Sequence, residues 1–172
     1  MMKRLYTCCV AIAVLFSACS KKGQSGADAV NDADRAFAMK AGPLYLASYE
    51  LGLLAFDNSS DSTIIKLAEK VVMTSNTGYN NLIQLSTLKG FIVPSYMDTV
   101  HVNIKTDLSA MFGAQFDSAY LHLLVADQHE LLTAFDVLQE IGNNMNLKSH
   151  AKAYRDTMFM YHVEADSLVE MY

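Results

Sequence analysis

Four stretches of the chain, each about two dozen residues long, carry apolar side chains every three or four positions, and this 3.6-residue period restricts them to amphipathic helices that must bury one face. The first runs from Asp34, a candidate N-cap, to about Phe56 through Phe37, Leu44, Ala47, Leu51 and Leu54. A polar break at Asp57 to Asp61 introduces the second, through Ile64, Ala68, Val71, Val72, Tyr79, Leu82 and Leu85, which ends near Lys89-Gly90. The third uses Phe116, Tyr120, Leu123, Leu131, Ala134, Leu138 and Ile141, and Gly142-Asn143-Asn144 stops it. The fourth follows Leu147, Ala151, Tyr154, Met158, Ala165 and Val169 to the C-terminus. Helices of this length are roughly 35 Å long, and four single stripes find partners most simply in an all-α four-helix bundle.

Between the second and third long helices, Phe91 to Val102 contains Pro94 and several β-branched residues. This segment reads as a long loop that carries the chain from one end of the domain to the other, with room for a short strand. A brief helix over Ile104 to Met111, stopped at Gly113, follows it.

The N-terminus has the pattern of an export signal: Lys3 and Arg4, then the apolar run Val10 to Phe16, then Ser17-Ala18 before Cys19. That run is too short to span a bilayer. The pattern looks like a lipobox, in which the cysteine thiol receives a diacylglycerol, the chain is cut before it and the new amino terminus is acylated. Phe16 stands where a leucine is usual. The expected organisation is therefore a signal peptide over 1–18, a lipidated Cys19 with a flexible, small and polar tether over 19–31, and the helical domain over 32–172. Two or three acyl chains hold firmly where one holds marginally, so the expected location is the cell envelope, with the outer membrane facing the periplasm as the default.

Cleavage before Cys19 also removes Cys8 and Cys9, which leaves one cysteine, committed to lipid, and no disulfide or thiol chemistry in the domain. Without Lys3 and Arg4 the mature chain has 11 basic against 18 acidic residues, a net charge of −7, which disfavours nucleic acid as a partner. No glycine-rich phosphate loop, His-Glu-x-x-His, Cys-x-x-Cys or nucleophile elbow is present, so hydrolase and nucleotide-enzyme readings lack positive support.

The informative positions are polar residues within the apolar stripes, because an unpaired buried carboxylate costs several kcal/mol. Each long helix has one: Glu50, four after Leu46 and three before Leu53; Ser75; Asp127, between Leu123 and Leu131; and His162, between Met158 and Ala165. Facing helices that project carboxylates and imidazoles inward are the geometry of a bundle-core metal site. Glu50, Asp127 and His162 are the candidate ligands for a divalent ion, iron or zinc, with His129 or Glu130 reaching in as weaker candidates. The structural alternatives are a Glu50 paired with a lysine or tyrosine at the edge of the buried face, an Asp127 bridged to His129 or His162, and a hydrogen-bonded core His162. Ser75 is either filler or the mark of a lost ligand, and His122 and His129, seven apart, suit a solvated face. No glutamate is followed three residues later by histidine, the spacing a di-iron centre uses twice. Asp98 and His101 have that spacing, but in the segment with Pro94, where it reads as coincidence.

Asp34-Arg35-Ala36-Phe37, Tyr49-Glu50-Leu51-Gly52-Leu53-Leu54-Ala55, Leu67-Ala68, the run Gly113-Ala114-Gln115-Phe116-Asp117-Ser118-Ala119-Tyr120-Leu121, and His162 followed by Ala165 occur in one order and spacing. In these the chain resembles a bacterial family, domain of unknown function 4142, whose members are often labelled outer membrane proteins and regarded as ferritin-like. The resemblance covers Asp34 to the C-terminus and implies a ferritin-like four-helix bundle. It also implies an Asp-His pair on the second helix, where this chain has Thr74-Ser75, and another on the third, where Asp127-Gln128-His129 displaces the imidazole by about 100° around the helix. Glu50, Asp127 and His162 alone keep the family register. The expected function is a non-catalytic binding or structural module with a degenerate metal site; the alternative is a protein that binds a divalent metal through those three residues.

Overall fold

The computed structural model describes Gly26 and residues 29–172; the expected signal peptide over 1–18, the expected lipidation at Cys19 and most of the expected tether lie outside the described residues. Five helices follow: α1 (Asp32–Asn58), α2 (Ser62–Lys89), α3 (Thr99–Ser109), α4 (Ala114–Ile141) and α5 (Met145–Val169). No strand occurs among the described residues, so the stretch around Pro94 is irregular chain.

Local chemistry sets each boundary. Asn31, rather than Asp34, caps α1: its side chain accepts from the Asp34 N–H at 2.9 Å, while the Asp34 carboxylate accepts the Asn31 N–H at 2.8 Å. This is a reciprocal capping box. The same fully buried carboxylate accepts from the Asn143 and Asn144 N–H groups at 3.1–3.3 Å, which ties the start of α1 to the turn between α4 and α5. Asp61 caps α2 from the Thr63 N–H, and Gly90 ends that helix at φ 69°, a left-handed position that suits glycine. Asp98 caps α3 by accepting from the His101 N–H, which starts the short helix five residues before the apolar pattern does. Asn144 caps α5 through the Asn146 and Leu147 N–H groups.

The core divides into two clusters, one at each end of the long helices. Phe37, Leu44, Leu82, Phe135, Leu138 and Leu147 belong to the first; Leu51, Ile64, Leu67, Phe116, Leu121 and Leu168 belong to the second. The chain order of these residues shows that α1 and α5 run from the first cluster to the second, and α2 and α4 run back. Helix α1 packs on α2 and α4, and α5 on the same two, so each long helix is antiparallel to both of its main neighbours. The two helices α2 and α4 point the same way, and the segment 90–113 must cross the length of the fold between them. Phe91 and Val93 bury at the first end, Leu108 buries at the second, and the Asn58 side chain donates to the Leu108 and Met111 carbonyls to fix the far end of the crossing.

Candidate functional site

The crossing segment is clamped to the long helices by charge. His101, in the first turn of α3, is 8% exposed, and both of its ring nitrogens face carboxylates: Nδ1 lies 2.8 Å from Asp98 Oδ2 and Nε2 lies 3.1 Å from Asp127 Oδ1 on α4. The hydrogen bond to Asp127 is the main force that pushes the imidazole up to about 9, with Asp98 adding to it and burial opposing. At neutral pH His101 is an imidazolium that donates from both nitrogens. Asp98 is held below the ordinary carboxylate range: burial works against this, and the His101 N–H and imidazolium prevail. A second ion pair joins the same short helix to α1, Lys105 Nζ lying 2.6 Å from Glu50 Oε2 with both side chains about one-third exposed.

The polar stripe residues thus have compensated charges. Asp127 is bridged to His101, in the crossing segment, and not to His129 or His162. Glu50 has the lysine partner expected of an edge carboxylate. Glu130 is exposed and paired with Lys40. His129 is exposed, and its ring lies 6.2 Å from that of His162, whose Nδ1 is buried without a hydrogen-bond partner. Glu50, Asp127 and His162 do not form a ligand cluster, and among the described residues no group of three or more His, Cys, Asp or Glu side chains is placed to hold a metal ion. A divalent ion at Glu50 or Asp127 would meet the positive charge of Lys105 or His101, each of which already holds one oxygen of the carboxylate.

Helical register puts further polar residues between the two core clusters. Ser75 lies between Val71 and Leu82, and Gln128 between Leu124 and Leu131. Ser75 is fully buried and Gln128 is 1% exposed; the Ser75 hydroxyl and both polar atoms of the Gln128 amide have no protein partner.

A third arrangement was not singled out in the sequence. His150, on α5 and 3% exposed, is held between Asn81 of α2 and Tyr45 of α1, with Nδ1 2.8 Å from Asn81 Oδ1 and Nε2 3.1 Å from Tyr45 Oη. Burial lowers the imidazole to about 4 and raises the Tyr45 hydroxyl well above its usual value. The neutral ring therefore donates from Nδ1 to the amide oxygen and accepts the tyrosine proton at Nε2. Tyr154 and Phe37 pack against the same ring. This network joins three helices without any net charge.

The model of the domain of unknown function DUF4142 matches residues 19–168. The chain belongs to this family. Nothing among curated proteins matches it. Two solved structures of DUF305 proteins resemble this DUF4142 chain in fold. A fragment from Deinococcus radiodurans superposes with a TM-score of 0.72 at 10% identity, covering 84% of this chain and 99% of that one. A protein from Streptomyces coelicolor, whose name presents it as secreted, superposes with a TM-score of 0.67 at 18% identity, covering 80% and 93%. At these identities the likeness shows a shared helical fold. It adds no site residue to the DUF4142 chain.

Proposed function

We propose that this DUF4142 chain is an envelope lipoprotein whose ferritin-like four-helix bundle acts as a non-catalytic binding or structural module, anchored through lipid on Cys19. The single observation that carries the reading is that both acidic stripe residues already have cations: Asp127 has His101 and Glu50 has Lys105. In a ferritin-like centre such carboxylates would balance metal charge; here they fasten the crossing segment to the bundle. One long crossover between otherwise antiparallel helices is the connectivity that supports the name ferritin-like. The envelope location rests on the export pattern of the first 19 residues, in keeping with a structural neighbour named as secreted. The domain is 32–172 and the tether 19–31, the last part of which is held to the domain at Gly26, Ala29 and Asn31, and nucleic acid is not a partner of a chain with this charge.

The second reading is a divalent-metal protein using Glu50, Asp127 and His162, with His129 or Glu130 adding a ligand. The buried, unpartnered Nδ1 of His162 beside the His129 ring is the observation in its favour. Metal content decides between the two readings. The mature protein, purified without a histidine tag, is expected to contain far less than one equivalent of iron, zinc or manganese by elemental analysis. One equivalent that disappears in His162→Ala would overturn the non-catalytic module in favour of the metal protein.

A further inference from the structure

An apolar trough runs between the first half of α1 and the last half of α4. Ala33, Ala36 and Phe37 form one wall, Ala134, Val137 and Ile141 the other, and the space between them is about 270 Å³. The alanines leave the trough because they are short. Val137 and Ile141, one turn apart, are 46% and 58% exposed, where the outer face of a helix in water would ordinarily be polar. The ion pair of Lys40 and Glu130 closes one end.

The other end, at Ile141, is where the chain that leads back to Cys19 is fastened. Asn31 Nδ2 donates to the Ile141 carbonyl at 2.9 Å. The Asn143 side chain donates to the Gly26 and Ala29 carbonyls at 3.0 and 2.9 Å. Cys19 is seven residues before Gly26, so its side chain can lie no farther than about 25 Å from this fixed point. A ligand tethered so closely is presented to the trough at an effective concentration on the order of millimolar.

We infer that the trough is the seat of one acyl chain of the lipid carried by Cys19 of the same molecule. The inference rests on the anchoring reading above and adds to it an intramolecular binding site. The chemistry fits: the walls are apolar, as a hydrocarbon requires, apart from Thr133, whose hydroxyl is already donated to the His129 carbonyl at 2.9 Å, and the polar closure at Lys40 and Glu130 limits how much chain can enter. With one acyl chain in the trough, fewer hold the membrane, and anchoring becomes adjustable in the way that separates singly from multiply acylated proteins.

The test uses the full chain, made in a bacterial host so that the signal is processed, and reconstituted in phosphatidylethanolamine–phosphatidylglycerol vesicles. A photoreactive benzoylphenylalanine is placed at Val137, inside the trough, or at Val163, which is equally exposed on α5. After irradiation, mass spectrometry of the fragments should find residue 137 joined to the chain's own lipidated N-terminal peptide, at least fivefold more than residue 163. Filling the trough with Ala36→Trp, at an exposed position, should bring the yield at 137 down to that at 163 with the melting temperature unchanged. Equal yields at the two positions, or adducts with vesicle phospholipid in place of the N-terminal peptide, would overturn the inference while the anchor stands. An intact mass without lipid would remove the anchor and this inference together.

Discussion

His101 and His150 are both nearly inaccessible, yet they are held on opposite sides of neutrality. His101 gains its proton more readily in the folded state, about 9 against an ordinary 6.5, so its contribution to stability is complete below pH 6.5 and disappears as the pH rises through 9. His150 is depressed to about 4. The folded state keeps it neutral while the unfolded chain would protonate it, so its contribution is complete above pH 6.5 and is lost as the pH falls towards 4. Each shift is worth roughly 3 kcal/mol at full expression. Urea unfolding between pH 4 and 10 should therefore show stability falling on both sides of neutrality, with His101→Gln flattening the alkaline limb and His150→Asn the acid one. An unchanged alkaline limb in His101→Gln would mean that the clamp to Asp127 does not carry the charge argued for it. The sequence exposed half of this chemistry. Asp127 and Glu50 stand out because a carboxylate within an apolar stripe needs a partner, but the partners of Asp127 were sought among His129 and His162 on the long helices. The signal for His101 was present in Asp98, three residues earlier, as an N-cap followed by its N3 residue. His150, between Leu147 and Tyr154 on the buried stripe of α5, was open to the same reasoning as His162, but a neutral histidine satisfied by an amide and a hydroxyl leaves no charged neighbour in the sequence to point to it.

The long helices were legible because each repeats its apolar period over more than six turns, and the first three stop at asparagine or glycine; tertiary packing then confirms what the pattern requires. The short helix was misplaced at its start because a side-chain cap, Asp98, sets it and no apolar period does. The β-branched residues before it suggested a strand, but Val93 is buried at the end of the helices while Val100 and Val102 lie exposed on α3. Close contact between α1 and α2 uses two residues that periodicity does not value, Gly52 against Val72 and Gly78 against Tyr45. A Cβ on Gly78 would lie 2.7 Å from Tyr45 Cε1 and 2.8 Å from Cζ, and Tyr45 is fully buried with its hydroxyl committed to His150. Helix propensity alone would make Gly78→Ala more stable by about 1 kcal/mol. Overpacking costs about 1–3 kcal/mol, and the ring cannot withdraw without giving up its bond to His150. Gly78→Ala is thus expected to lower stability by up to about 2 kcal/mol in chemical denaturation, and a gain in stability would show that α1 and α2 can separate freely at this level.

The proposed anchor makes the molecule a charged domain on a short lead. Its mature net charge of −7 repels it from anionic headgroups, and none of the described helices is long and apolar enough to cross a membrane. Attachment then depends on acyl chains alone, each buried methylene contributing about 0.8 kcal/mol. The fold does not share this dependence, since the N-terminal contacts described here begin at Gly26, with the capping box at Asn31 and Asp34 beyond it. Cys19→Ala should consequently move the protein from the membrane fraction to the soluble extracytoplasmic fraction, while its thermal unfolding profile remains that of the unsubstituted chain. High salt and alkaline carbonate should leave the unsubstituted protein on the membrane, because neither weakens burial of hydrocarbon. If Cys19→Ala of mature size, without the apolar run before residue 19, still sediments with membranes, the apolar side chains exposed beside the anchoring end, Ile141 and Met145 among them, or a bound membrane partner must supply the attachment, and the lipid on Cys19 would lose its place as the element that localises the domain.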